Sequence, residues 1–208
     1  MTSAPLTATT LTTEQAAHLA LQCLDLTSLN DTDSEADIDV LCHRAQSQFG
    51  NVAAVCVWPR FVAAARKQLP ASIKVAAVAN FPDGALDVVR ALVDVHAIAQ
   101  AGGDEVDVVL PYRALMDGQT AECADFLAQV RAASRPMGLK VIIESGELMT
   151  PTLITQATAL AVDADADFVK TSTGKTPLSA TPQAAALMLA AIAAGANTSV
   201  GFKASGGI

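Results

Sequence analysis

Two lysines stand alone in apolar, strand-like runs that end in hydroxyl and glycine residues: Lys170 in Phe-Val-Lys170-Thr-Ser-Thr-Gly-Lys175, and Lys203 in Gly-Phe-Lys203-Ala-Ser-Gly-Gly. A lysine buried in such a setting is costly to charge, and a second cation nearby lowers its pKa further, so one of the pair can be a free amine able to attack a carbonyl. That is Schiff-base chemistry. The chain has six lysines, at positions 67, 74, 140, 170, 175 and 203, and three of them fall in these two segments, which random placement of surface charge would not produce. A single such lysine reads most simply as a side chain snorkelling from a strand edge. Two together, each with a glycine-containing sequel, favour a site.

Imine chemistry also needs a group that gives and takes protons near neutral pH, and Asp107, inside the apolar run Glu-Val-Asp107-Val-Val-Leu, is the candidate. It can equally be an interior carboxylate that pairs with Lys203, and the two roles are compatible. Asp25 and Thr27 end the first candidate strand, where they can face a site or cap a turn. Cys56 sits in an apolar run, which suits an inert buried thiol or a pocket wall. Glu144 reads as an interior carboxylate salt-linked to a lysine, and His96 as structural. Arg113 and Glu147 have no assignable role.

The elements that must position these residues alternate. Candidate strands are 21–25, 52–57, 74–80, 105–110, 140–144, 168–171 and 199–203, separated by helical patterns. The clearest helix runs from Ala85 to Ala101, with Ala85, Val88, Val89, Leu92 and Ala99 predicted on its inner face, and Gly102-Gly103 marks its end. Two more helices open with Thr150-Pro151 and Thr181-Pro182, where the hydroxyl caps and proline occupies the first turn. Near-continuous apolar strands joined by crossover helices predict a parallel sheet covered by helices, an α/β fold. No early strand is followed by Gly-x-Gly-x-x-Gly, against a dinucleotide-binding open sheet. Asp25, Cys56, Asn80, Asp107, Glu144, Lys170 and Lys203 all fall within or at the ends of different strands, which a (β/α)8 TIM barrel would converge on one mouth. Seven strands are countable; an eighth strand and a closing helix are not found. The expected organisation is a flexible tail over residues 1–14 and one barrel domain over 15–208.

The 208 residues, 51% hydrophobic with 4% aromatics, can build one core from Ala, Val, Leu and Ile. A formal net charge of -8 leaves no broad basic surface for nucleic acid, although one local anion site would serve a small phosphorylated substrate. The four cysteines are scattered, with no Cys-x-x-Cys pair and no zinc-like histidine spacing, so reduced thiols in a cytoplasmic protein are expected and no metal is predicted. The N-terminal stretch lacks a secretory signal pattern, and the longest apolar run, Ala184 to Ala194, is too short to span a membrane.

Five segments together resemble deoxyribose-phosphate aldolase: Leu24-Asp25-Leu26-Thr27-Ser28-Leu29-Asn30, Val55-Cys56-Val57-Trp58-Pro59-Arg60-Phe61, Asp104 to Arg113, Phe168 to Lys175, and Gly201 to Gly207. The resemblance runs in order from about residue 20 to the end of the chain. It implies a class I aldolase that cleaves 2-deoxy-D-ribose 5-phosphate to D-glyceraldehyde 3-phosphate and acetaldehyde in deoxynucleoside catabolism, without a cofactor. Carried over by position, Lys170 would form the Schiff base, Lys203 would tune it, and Asp107 would be the acid/base. Thr173, Gly174, Lys175, Gly206 and Gly207 would hold the sugar hydroxyl and phosphate, with Asp25, Thr27 and Cys56 around the substrate. Family members continue into an eighth strand with a phosphate loop and a closing helix that nothing here matches. Two alternatives follow: a noncatalytic or truncated barrel completed by a partner, or a Schiff-base aldolase for a different sugar phosphate. The resemblance is compatible with a homodimer.

Overall fold

The computed structural model describes residues 11–206. In chain order these form α1 (Thr13–Gln22), β1 (Asp25–Thr27), α2 (Glu35–Arg44), a short hairpin of β2 (Gln46–Ser47) and β3 (Gly50–Asn51), β4 (Ala54–Val57), α3 (Val62–Gln68), β5 (Lys74–Ala79), α4 (Val88–Gln100), β6 (Glu105–Val109), α5 (Tyr112–Met116), α6 (Thr120–Ser134), β7 (Gly138–Ile142), α7 (Ser145–Leu148), α8 (Pro151–Asp163), β8 (Phe168–Lys170), α9 (Pro182–Ala194) and β9 (Gly201–Lys203). Seven of the strands make one parallel sheet in sequential order, β1-β4-β5-β6-β7-β8-β9.

Sequential order excludes the doubly wound alternative, whose strand order reverses at a switch point. Curvature follows from one contact. Asp25 on the first strand and Lys203 on the last form an ion pair of 2.7 Å. A flat sheet would hold these strands roughly 29 Å apart, six spacings of about 4.8 Å. The sheet therefore curls into a barrel wall whose inner face carries the charged residues, as the pattern of strand-end polar residues predicts. Among the described residues β1 and β9 are the edges of the sheet.

Helix starts follow their caps. Thr150 and Thr181 accept the Leu153 and Ala184 amides at 3.2 and 3.1 Å, each with proline in the first turn. Two local expectations are corrected. Residues 21–22 belong to α1, not to a strand, because a capping box of Thr12 with Gln15 starts a helix that runs through them; β1 begins at Asp25. Thr13 and Glu14, expected in a tail, are the first residues of that helix, and the tail's residues 1–10 lie outside the described residues. On α4 the inner face is Ala91, Val95 and Ile98 with Val88 half-buried, while Val89 is exposed. Asp87 caps the Arg90 amide and starts the helix at Val88, three residues later than periodicity suggests. His96 is exposed.

The core is one continuous cluster of aliphatic side chains from the strands and the helices outside them. Strands β4 to β7 are buried almost throughout, as a sheet covered by helices demands. Among the described residues no helix is long and apolar enough to cross a membrane.

Candidate active site

Strand register decides which polar side chains meet. Asp107 on β6 and Lys140 on β7 are register partners, as are Lys170 on β8 and Lys203 on β9. The Lys170 ammonium donates to Asp107 Oδ2 at 2.7 Å, and the Lys140 ammonium donates to Oδ1 of the same carboxylate at 3.0 Å. Asp107 is wholly buried and held by a lysine on each oxygen. Lys140 also pairs with Glu105 and lies 3.6 Å from Asp25. Lys203 pairs with Asp25 and donates to the Cys23 carbonyl at 2.8 Å. Three carboxylates and three lysines thus form one interior chain of alternating charge, from β9 through β1 and β7 to β6 and β8.

The electrostatics follow. Burial would raise the Asp107 pKa, but the charges of Lys140 and then Lys170 outweigh it and hold the carboxyl well below the usual carboxylate range. Burial would likewise discharge Lys170, yet Asp107 outweighs it and the pKa is raised. The raised pKa favours the ammonium form of Lys170, and a free amine there has to be made by moving its proton. The cation that pulls its pKa down is Lys140, across the shared Asp107. Lys203, expected in that role, faces Asp25 instead. Lys140 is itself held charged: burial opposes it, and Asp107, Glu105 and Asp25 overcome the burial.

Lys170 is also where the chain is open. It lines a mouth cavity of about 290 Å³ together with Thr27, Thr173, Gly174, Lys175 and Gly206. On the other side it lines a cavity of about 590 Å³ between the β1 and β9 edges, shared with Asp25 and Lys203. The side chain is 8% exposed, enough for a small carbonyl to approach.

The remaining predicted residues divide. Thr173, Gly174 and Lys175 form a loop on the mouth, and Gly206 faces it from the β9 end. Gly174 and Gly206 both have positive φ, 76° and 80°, which favours glycine at each, and a Cβ on Gly206 would also meet the Ser179 hydroxyl at 2.5 Å and Gly174 Cα at 3.1 Å. Lys175 reaches across the mouth and donates to the Leu29 carbonyl at 2.7 Å. Gly207 lies outside the described residues. Thr27 lines the mouth with its hydroxyl on the Asp25 carbonyl, and Asp25 is committed to the lysines. Cys56 is fully buried with Sγ 3.9 Å from Asp107, and burial followed by the Asp107 charge pushes its thiol up to about 12. It backs the aspartate and does not face the cavity.

Sequence reasoning missed Lys140 as a site residue. The signal was present, since Lys140 is another lone lysine in an apolar strand, but it lacks the hydroxyl and glycine sequel of the other two. Glu144 was expected to pair with a lysine; its carboxylate instead meets hydroxyl and amide donors of the Thr173 loop. Among the described residues no group of three or more His, Cys, Asp or Glu is arranged to hold a metal ion.

A family model described as DeoC/LacD family aldolase matches residues 19–208. Among solved structures, the chain is similar to a protein from Coccidioides immitis assigned as a deoxyribose-phosphate aldolase, with 31% identity and a TM-score of 0.87 over 92% of this chain and 74% of that one. It is similar to an aldolase called QR15 at 26% identity and TM-score 0.82, over 90% and 81% of the two chains. A tetrameric deoxyribose phosphate aldolase from Aeropyrum pernix, 23% identical over 92% and 79%, shares the fold with a TM-score of 0.76.

Proposed function

The chain belongs to the DeoC/LacD aldolase family, and on that premise we propose that it is a class I aldolase cleaving 2-deoxy-D-ribose 5-phosphate to D-glyceraldehyde 3-phosphate and acetaldehyde. The observation that carries the reading is a buried lysine that faces a cavity and donates to a buried aspartate across 2.7 Å. Such a pair can form an imine and then manage the protons of a carbon–carbon cleavage.

The steps are these. Lys170 passes a proton to Asp107 Oδ2 as the substrate aldehyde enters, and the freed amine attacks C1. Asp107 returns that proton to the carbinolamine oxygen, a second proton passes to the same oxygen from the attacking nitrogen, and water leaves to give the iminium. The Asp107 carboxylate then takes the proton of the C3 hydroxyl; the C2–C3 bond breaks, its electrons flow into the iminium, and glyceraldehyde 3-phosphate departs. Protonation of the enamine at C2 and hydrolysis release acetaldehyde. Throughout, Lys140 keeps its hold on Oδ1, so Asp107 turns only one oxygen to the reaction. Lys175 and the amides around Gly174 and Gly206 supply the anion site at the rim, where backbone donors do much of the work and the lysine adds a point charge. The reaction belongs to deoxynucleoside breakdown in the cytoplasm.

The test is borohydride trapping with acetaldehyde. An adduct on Lys170, identified by peptide mass, is expected; Lys170→Ala should form none and lose turnover while its far-ultraviolet circular dichroism stays near that of the parent. A folded parent chain that traps no acetaldehyde would overturn the reading, and trapping of dihydroxyacetone in preference would redirect it to a keto-sugar donor.

A further inference from the structure

Glu144, two residues past β7 and just before α7, is completely buried in a left-handed conformation with φ of 53°, and among the described residues no lysine or arginine pairs with it. An isolated buried carboxylate is expensive unless donors surround it. All its side-chain donors come from one place, the loop after β8. The Thr173 amide lies 3.3 Å from both carboxylate oxygens, the Thr173 hydroxyl donates to Oε2, and the Thr176 hydroxyl divides its one proton between Oε1 at 3.3 Å and the Leu178 carbonyl at 3.2 Å. Burial raises the Glu144 pKa, and these donors oppose that.

The consequence reaches the cavity through Thr173. Its single hydroxyl proton is committed to Glu144, and one lone pair takes the Lys175 amide at 3.0 Å. What remains toward the cavity is an acceptor. A hydroxyl so fixed receives a hydrogen bond from a substrate hydroxyl and cannot donate one to a carbonyl. With Asp107 engaged at the substrate's C3 oxygen, the hydroxyl next along the chain toward the rim is that on C4.

We propose that Glu144 is a positioning residue for the substrate: it anchors the Thr173–Thr176 loop from beneath and fixes the Thr173 hydroxyl as an acceptor for a substrate hydroxyl. This rests on the aldolase reading above and assigns the specificity of the same site.

The experiment compares the parent chain with Glu144→Gln in two assays. Borohydride trapping of acetaldehyde on Lys170 does not engage the loop and should keep its parental rate. The KM for 2-deoxyribose 5-phosphate should rise about tenfold with kcat changed less than about threefold, because an amide at Glu144 donates to Thr173 and turns its hydroxyl around. The preference for that substrate over its 4-deoxy analogue should shrink in the variant. If Glu144→Gln loses the fold, Thr176→Val decides: it lies outside the cavity lining, should raise KM about threefold by removing one anchor, and Thr176→Ser should restore the parental value. A parental KM and a parental preference in a Glu144→Gln protein that still traps acetaldehyde overturn the proposal, as does a parental KM in Thr176→Val where Glu144→Gln does not fold. A parent that traps no acetaldehyde instead refutes the aldolase reading on which the proposal rests.

Discussion

Asp107 turns a cluster of charges into a proton device, because two lysines compete for one buried carboxylate. The raised Lys170 pKa means that free amine is scarce at neutral pH and grows as pH rises, so the rate of acetaldehyde trapping should climb on the alkaline side. Lys140 is the cation that holds this pKa down, and Lys140→Met should therefore move the climb to higher pH. Lys203→Leu should move it little, since Lys203 is occupied with Asp25. A larger shift from Lys203 than from Lys140 would restore the tuning role to Lys203. Removing Lys140 also leaves Glu105 and Asp107 short of a partner, at a cost of about 3–5 kcal/mol in urea unfolding. Glu105→Gln in the same chain should recover part of that loss. That Lys170 and Asp107 are interior charged residues was legible in the sequence because a lone charge in an apolar strand is costly to bury unless it is paired or put to chemical use. The pairing was not, because which lysine meets which carboxylate depends on register and on curvature.

At the scale of elements, the ends of β8 and β9 are tied by side chains where the ladder stops. The Ser205 amide donates to the Thr171 hydroxyl at 3.0 Å, and the Ser205 hydroxyl donates to the Ser172 carbonyl at 2.6 Å and accepts from the Ser172 amide at 3.2 Å. These bonds continue the pairing of Lys170 with Lys203 into the loops that carry Thr173 and Gly206. Ser205→Ala removes two of them, one from a buried segment, and should cost about 1–3 kcal/mol while raising KM for the sugar phosphate more than it slows acetaldehyde trapping. A stability loss with both rates intact would show that the clasp serves only the fold. The hydroxyl residues after each lysine were readable as a site signature, but the sequence offered no way to tell hydroxyls that touch substrate from hydroxyls that stitch strands. The same limit explains the misread face of α4: Val89 and Leu92 fit an apolar stripe, yet packing on the sheet and on α6 turns Ala91, Val95 and Ile98 inward. Strands β4 to β9 were found within a few residues because they are apolar runs, whereas the β2–β3 hairpin and β1, three residues long with a half-buried start, have no such run.

Across the whole molecule, the interior charge chain ties five strands of the sheet, including its two edges, so stability should follow the protons of that chain. Asp107 has a folded pKa below its unfolded value of about 4. It therefore contributes stability that is present above about pH 4 and lost as pH falls through the depressed folded value. Glu144 acts with the opposite sign: its raised folded pKa means that taking up a proton favours the fold as pH falls toward the ordinary carboxylate range. Lys170, with a raised pKa, contributes below its unfolded value of about 10.4 and is lost only at higher pH, outside the acid window. From neutral pH down to about pH 5, then, urea midpoints should hold or rise slightly, and they should fall steeply only below about pH 4. In Asp107→Asn the acid limb should flatten, although the variant starts lower because Lys140 and Lys170 lose their shared anion. Added salt should change these midpoints little, since the pairs lie where screening is weak. A steep loss already between pH 7 and about pH 5 would mean that the interior carboxylates are not held ionised by the lysines, and the proton-sharing arrangement proposed for catalysis would fall with that result.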